Sequence, residues 1–242
     1  MISKDYLLIP VKKGAEKKLV SFWCKEEKLY EFEICCAEVQ GNYPEDYCAI
    51  LPMKKWKNQE LRIEGDVCES FLAAIRESDS EIEKCSGRIH FVPETGWIND
   101  PNGLIYYNGS YHLYFQHNPF DVNWGNLCWG HAQSSDLLHW VQKEDVLFPD
   151  ADGTMFSGCA ILNEHGLLDL PKDVPVFFYT VAGSASKWSE GKKFVQRIAT
   201  STDQGETLTK IEGNVLEHIE ADNRDPKVYW HEGKQLYYMV LY

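Results

Sequence analysis

Two aspartates in this chain stand directly before prolines, each at the mouth of a strand-like segment. Asp100 lies within Trp97-Ile-Asn-Asp-Pro-Asn-Gly103, and Asp225 lies within Arg224-Asp-Pro226, 125 residues later. Proline fixes its own φ and stiffens the turn, so each carboxylate is held at a strand entrance. Asp-Pro alone is an ordinary turn opening. The second copy adds Arg224, a permanent cation that can hold a carboxylate ionised or bind a hydroxyl. Where two such entrances face one aromatic-lined cavity, the paired carboxylates suit cleavage of a glycosidic bond, one of them attacking or stabilising a sugar cation.

The elements that must bring the two together are visible as a repeat. Asp100-Pro-Asn-Gly-Leu-Ile-Tyr-Tyr-Asn-Gly-Ser-Tyr-His-Leu-Tyr-Phe is echoed by Asp225-Pro-Lys-Val-Tyr-Trp-His-Glu-Gly-Lys-Gln-Leu-Tyr-Tyr, and Ala132-Gln-Ser-Ser-Asp136 by Ala199-Thr-Ser-Thr-Asp203. A further strand start, Phe156-Ser-Gly-Cys-Ala-Ile-Leu, falls between the Asp-Pro openings. Units therefore begin near 100, 157 and 225, spacings of 57 and 68 residues that suit four-stranded propeller blades with long loops. An ordinary sandwich predicts no such echoes. Equivalent positions on blades around one axis face one funnel, which makes Asp100 and Asp225 neighbours. Asn108-Gly109 between apolar runs reads as a type I′ hairpin turn; with Ser110 it also forms a glycosylation sequon.

Before about residue 85 the texture differs. Tyr30-Glu-Phe-Glu-Ile34 alternates apolar and charged side chains, as a half-buried strand does. Similar pieces at Tyr6–Val11, Leu19–Cys24, Tyr47–Leu51 and Leu61–Glu64 predict a small antiparallel sandwich, with a helical turn over 69–76. No constellation in 1–85 points to chemistry, so this part is read as an accessory module and 86–242 as the blades of a catalytic domain.

Of the 242 residues, 44% are hydrophobic and 13% aromatic, enough to build a packed core. The net charge of −13 repels phosphate backbones and anionic lipids, so nucleic acid and membrane are not expected as partners. The N-terminus carries no apolar run of signal-peptide length, and no stretch approaches the ~20 apolar residues of a membrane span. The expectation is a soluble, cytoplasmic chain, or a secreted one if its N-terminus has been trimmed. Eight cysteines without a Cys-x-x-Cys pair read as reduced, mostly buried thiols. Cys128 and His131 have metal-ligand spacing, but no second pair answers them.

Trp97-Ile-Asn-Asp-Pro-Asn-Gly103, Tyr114-Phe-Gln-His-Asn-Pro119, Trp124-Gly, Trp129-Gly-His-Ala132, Ser135-Asp-Leu-Leu-His-Trp140, Phe156-Ser-Gly158 and Arg224-Asp-Pro226 together resemble the motif series of glycoside hydrolase family 32, the invertases, inulinases, levanases and related fructosyltransferases. The resemblance runs from about Arg88 to the last residue, with the motifs in the family's order. It implies an all-β fold, a small N-terminal β-sandwich followed by the first blades of a five-bladed β-propeller. It implies a retaining hydrolase of β-fructosides, with Asp100 as nucleophile and Asp225 as transition-state stabiliser. Asn99, Gln116, Trp124, Phe156, Ser157 and Arg224 would line the fructose pocket, where polar groups meet hydroxyls and the rings of Trp124 and Phe156 meet the sugar's C–H surface. Trp129 and Trp140 read as blade packing, and His131 and His139 as structural hydrogen-bonders. No metal or organic cofactor is implied, and the partner is a fructose-containing oligo- or polysaccharide.

The family pattern has a third carboxylate, a Glu usually followed by Cys, which protonates the leaving oxygen. This chain contains no Glu-Cys pair, and Tyr242 follows seventeen residues after Asp225. The expectation is an N-terminal part of the enzyme, inactive alone, with that Glu at the opening of the next blade, about 50 to 70 residues beyond Asp225. Two other readings stand beside it: a non-catalytic fructan-binding or vestigial protein, and a related five-bladed arabinosidase or xylosidase. Trp-Ile-Asn-Asp-Pro-Asn-Gly with Phe-Ser-Gly is more specific than the lone Asp openings of that last group.

Overall fold

Alternating side chains build the first strands. A computed structural model describes residues 1–36, 45–79 and 90–242 and forms β1 (Tyr6–Val11), β2 (Lys17–Cys24), β3 (Glu27–Cys35), β4 (Tyr47–Pro52) and β5 (Leu61–Gly65). In β3, Tyr30, Phe32 and Ile34 are buried while Glu33 is exposed, as the period of two requires. With β6 (Arg76–Ser78) these strands make two three-stranded antiparallel sheets, β4-β1-β6 and β3-β2-β5, the small sandwich read from the sequence. A six-residue helix, α1 (Glu69–Ala74), buries Phe71.

The chain divides into two compact units, one of Met1–Ile98 with Asn118–Asn126, the other of Asn99–His117 with Leu127–Tyr242. The boundary expected between 85 and 86 lies outside the described residues; among those described, the first unit runs on to Ile98 and takes in a segment far along the chain. That segment is bound closely within its unit. The Phe120 ring lies 4.3 Å from Phe32, and its carbonyl accepts from the Cys35 amide at 3.3 Å. Asn126 bonds both backbone groups of Glu33, at 2.9 and 2.7 Å. Lys17 pairs with the buried carboxylate of Asp121 at 2.6 Å. An uncompensated buried charge is costly, so this ion pair and the Val122 amide that Asp121 also accepts are what make its burial tolerable.

The second unit is a row of antiparallel sheets, the first blades of a five-bladed β-propeller. β7 (Trp97–Tyr107), β8 (Ser110–Asn118), β9 (Cys128–Ser134) and β10 (Trp140–Gln142) form the first, in the order β10-β9-β8-β7. β11 (Thr154–Leu162), β12 (Pro175–Ala182), β13 (Val195–Thr200) and β14 (Thr209–Lys210) form the second. β15 (Lys227–His231) and β16 (Leu236–Val240) begin a third. Pro101 sits on β7, an edge strand, the place in a sheet where proline is best tolerated. Asn108 and Gly109 turn the first hairpin with φ of 48° and 83°, the signs a type I′ turn needs.

The middle blade is buried on both faces. From β12, Phe177, Tyr179 and Val181 pack with Tyr114, Trp129 and Leu147 of the first blade. Val176 and Phe178 point the other way and join Cys159, Ile198 and Val228. A strand covered on both sides reads as a near-continuous apolar run rather than an alternating one, which is the texture of Pro-Val-Phe-Phe-Tyr-Thr-Val-Ala with Thr180 as its one polar side chain. Each aromatic ring so buried contributes roughly 1.5–3 kcal/mol of transfer free energy.

The second sequence echo is a repeated turn after the third strand of each blade. Ser134 Oγ donates to Asp136 at 3.1 Å and Ser201 Oγ to Asp203 at 2.9 Å, and each aspartate then accepts the amides that follow. His131, fully buried, stacks on Tyr114 at 4.5 Å and His112 at 5.3 Å, and burial presses its pKa down to about 3. A ring held neutral in this way is a packing and hydrogen-bonding element. Cys128 is buried on the same strand, β9, and among the described residues no group of three or more His, Cys, Asp or Glu side chains could hold a metal. The seven described cysteines are free thiols, six of them buried.

Candidate active site

Asp100 lies near the start of β7, on the first strand of the first blade, with its side chain exposed. Its Oδ2 accepts a hydrogen bond from Ser157 Oγ at 2.8 Å. Ser157 reaches it because β11 is irregular there: the register with β12 shifts between Met155 and Gly158. A bulge re-aims the side chains it carries, and here these are Phe156 and Ser157. Gly158 closes the bulge, where a Cβ would stand 1.9 Å from the Phe178 carbonyl oxygen. Only glycine admits that approach.

Two side chains from the first blade fasten this bulge. Gln116, buried on β8, donates from Nε2 to Ser157 Oγ at 3.4 Å, and Asn102 Oδ1 accepts the Gly158 amide at 3.2 Å. The Gln116 carbonyl and the Asn102 amino group are buried without a partner in the structure. Polar atoms so placed are sites for water or a hydroxyl-rich ligand. Phe156 is half-buried, edge-on to Phe194 at 5.5 Å, and its carbonyl accepts from Trp129 Nε1 at 3.0 Å.

Asp225 stands at the corresponding entrance of the third blade, separated from β15 only by Pro226, with its side chain 46% exposed. Arg224 Nε is 3.6 Å from its carboxylate, while Nη1 of the same guanidinium pairs with Asp222 at 3.0 Å. The guanidinium carbon also lies 4.3 Å from the centre of the Tyr242 ring. Burial pushes the Asp225 carboxyl upward from its ordinary pKa, Arg224 pulls it down, and the negative charge of Asp100 pushes it up again. Charge therefore couples the two aspartates across 125 residues of sequence.

Of the residues singled out from the sequence, Asp100, Gln116 and Ser157 are joined by hydrogen bonds, and Arg224 lies beside Asp225. Asn99 is exposed next to Asp100, and Phe156 belongs to the bulge. Trp124 belongs to the segment 118–126 of the first unit and is 53% exposed. Three further polar residues escaped the sequence reading: Asn102, Thr180 and Gln196. The last two are buried polar side chains within strands, where an unpaired polar group would be costly.

An all-β chain of propeller blades, with a carboxylate at the mouth of two first strands and a fixed cation beside one of them, is a glycosidase-type architecture. Residues 90–242 match the family model for the glycosyl hydrolases family 32 N-terminal domain, and this chain belongs to that family. It is 40% identical over 177 residues to a levanase of Bacillus subtilis, an alignment covering 71% of this chain and 25% of that protein. It is 37% identical to an extracellular exo-inulinase of Aspergillus awamori, covering 64% of this chain and 33% of the other. Among solved structures, a fructofuranosidase of Schwanniomyces occidentalis complexed with fructose superimposes with a TM-score of 0.56 at 38% identity, covering 63% of this chain and 31% of that one. The chain thus spans about a quarter to a third of the length of these relatives.

Proposed function

We propose that this chain carries the fructosyl-binding and nucleophilic part of a retaining β-fructoside hydrolase acting on sucrose, inulin or levan. Asp100 attacks the anomeric carbon of the fructosyl unit while the bond to the glycosidic oxygen breaks; water later displaces the carboxylate and releases fructose. Asp225 stabilises the positive charge that develops on the ring, and its bonds to hydroxyls strengthen as the ring flattens. Within the propeller unit, Asn99, Gln116, Phe156, Ser157 and Arg224 line the pocket. The proton for the leaving oxygen comes from a glutamate outside these 242 residues. The single observation that carries this reading is a held carboxylate at the mouth of a blade's first strand: Asp100, bonded by Ser157 Oγ at 2.8 Å, with Asp225 beside Arg224 at the equivalent entrance of the third blade. Relatives named as extracellular enzymes favour a secreted protein.

In the protein as encoded, Asp100→Asn should lower fructose release from sucrose, inulin and levan at least about a thousandfold while the circular dichroism spectrum and unfolding midpoint stay as they are. The 242-residue chain alone should release no fructose above a buffer blank, because an alkoxide of high pKa cannot depart unprotonated. Substantial turnover by Asp100→Asn would remove the nucleophile. Sugar binding without any turnover by the encoded protein would instead favour the fructan-binding reading.

A further inference from the structure

We propose that Thr180 and Gln196, a cross-strand pair inside the middle blade, are positioning residues that hold Asp225 in its working conformation. The inference rests on the reading of Asp225 as transition-state stabiliser. Thr180 on β12 and Gln196 on β13 are register partners, both buried. Thr180 Oγ1 donates to Gln196 Oε1 at 2.7 Å and accepts the backbone N–H of Asp225 at 3.1 Å. Gln196 Nε2 donates to the carbonyl of Asn223 at 3.0 Å. Two residues of one blade therefore grip the backbone on either side of Arg224, at the entrance to the next. The backbone of Gln196 also pairs with Leu216, so the same residue secures the loop leading to that entrance.

The grip matters because Asp225 is not where its sequence would put it. Its φ is +60°, in the left-handed region. Aspartate visits that region more readily than most residues, but a residue before proline is ordinarily driven to extended backbone. Such a conformation persists only where its surroundings over-determine it. Here the over-determination is the hydrogen bond to the Asp225 amide, made by a hydroxyl whose own proton is committed to Gln196. Rotating Asp225 out of this conformation would re-aim the carboxylate by the better part of its own length, enough to spoil bonds that must tighten only in the transition state.

Thr180→Val keeps the shape of the side chain and removes the hydroxyl, leaving the Asp225 amide and Gln196 Oε1 without their partner. In the protein as encoded, this variant should lose about 10- to 100-fold in kcat on sucrose, with KM changed by less than about threefold, and Thr180→Ser should restore most of the loss. Hydrogen exchange at the Asp225 amide in the 242-residue chain should quicken at least about tenfold in Thr180→Val while the β12 amides stay protected. Gln196→Met, which cuts the second link, gives the same test if the valine variant does not fold. Wild-type kcat in Thr180→Val, or unchanged exchange at Asp225, would overturn the proposal. Asp225→Ala separates the two layers: if it abolishes turnover while Thr180→Val and Gln196→Met keep wild-type kcat, Asp225 keeps its role and the positioning pair is wrong. If Asp225→Ala leaves kcat intact, the reading of Asp225 itself falls, and the pair with it.

Discussion

The two aspartates differ in what surrounds them. Asp100 takes a hydroxyl donor, Ser157, and Asp225 takes a shared guanidinium and the repulsion of Asp100. Removing the charge of Asp100 leaves Asp225 with Arg224 and burial alone, so Asp100→Asn should lower the Asp225 pKa. The sign follows from like charges disfavouring joint ionisation: the raised carboxyl loses one of the two causes that raise it. Carbon-detected NMR titration of Asp225 in the 242-residue chain, with and without Asp100→Asn, measures this without needing turnover; an unchanged or higher pKa would break the coupling. At this scale the motifs brought Asp100, Gln116 and Ser157 forward, and the structure joins these three by hydrogen bonds. Thr180 and Gln196 did not show themselves, because they act on another residue's backbone and their own segments read only as strand.

Strands were the most readable elements, since β1 to β5 and the hairpin over 97–118 announce themselves by alternation and by Asn108-Gly109. The β11 bulge was not, because nothing in Thr-Met-Phe-Ser-Gly-Cys distinguishes a strand that stays in register from one that slips by a residue. Its one local mark is Gly158, whose lack of a side chain lets β11 lie against the Phe178 carbonyl. Gly158→Ala should therefore destabilise the protein by about 1–3 kcal/mol or more, as overpacking of a filled interior does. Urea denaturation would show it as a lower midpoint at an unchanged slope. A midpoint within error of wild type would mean that the bulge relaxes freely, and that Ser157 is not held by it.

The whole molecule is threaded in a way the sequence conceals. The first unit is not a continuous stretch: the chain leaves it after Ile98, returns at Asn118 and leaves again after Asn126. Asn118-Pro119 and Trp124-Gly125 read from the sequence as a loop of the catalytic domain, since the contacts that claim them, Phe120 with Phe32 and Asn126 with Glu33, join residues about ninety positions apart. This arrangement bears on synthesis. Domains generally fold as units in the order in which they emerge from the ribosome. The N-terminal module of this protein is incomplete when Ile98 emerges, because Phe120, Asp121 and Asn126 are still to come. Arrested nascent chains should therefore gain protease resistance in residues 1–79 only once Asn126 has cleared the exit tunnel, and the ribosome must commit the first propeller hairpin before the module ahead of it can close.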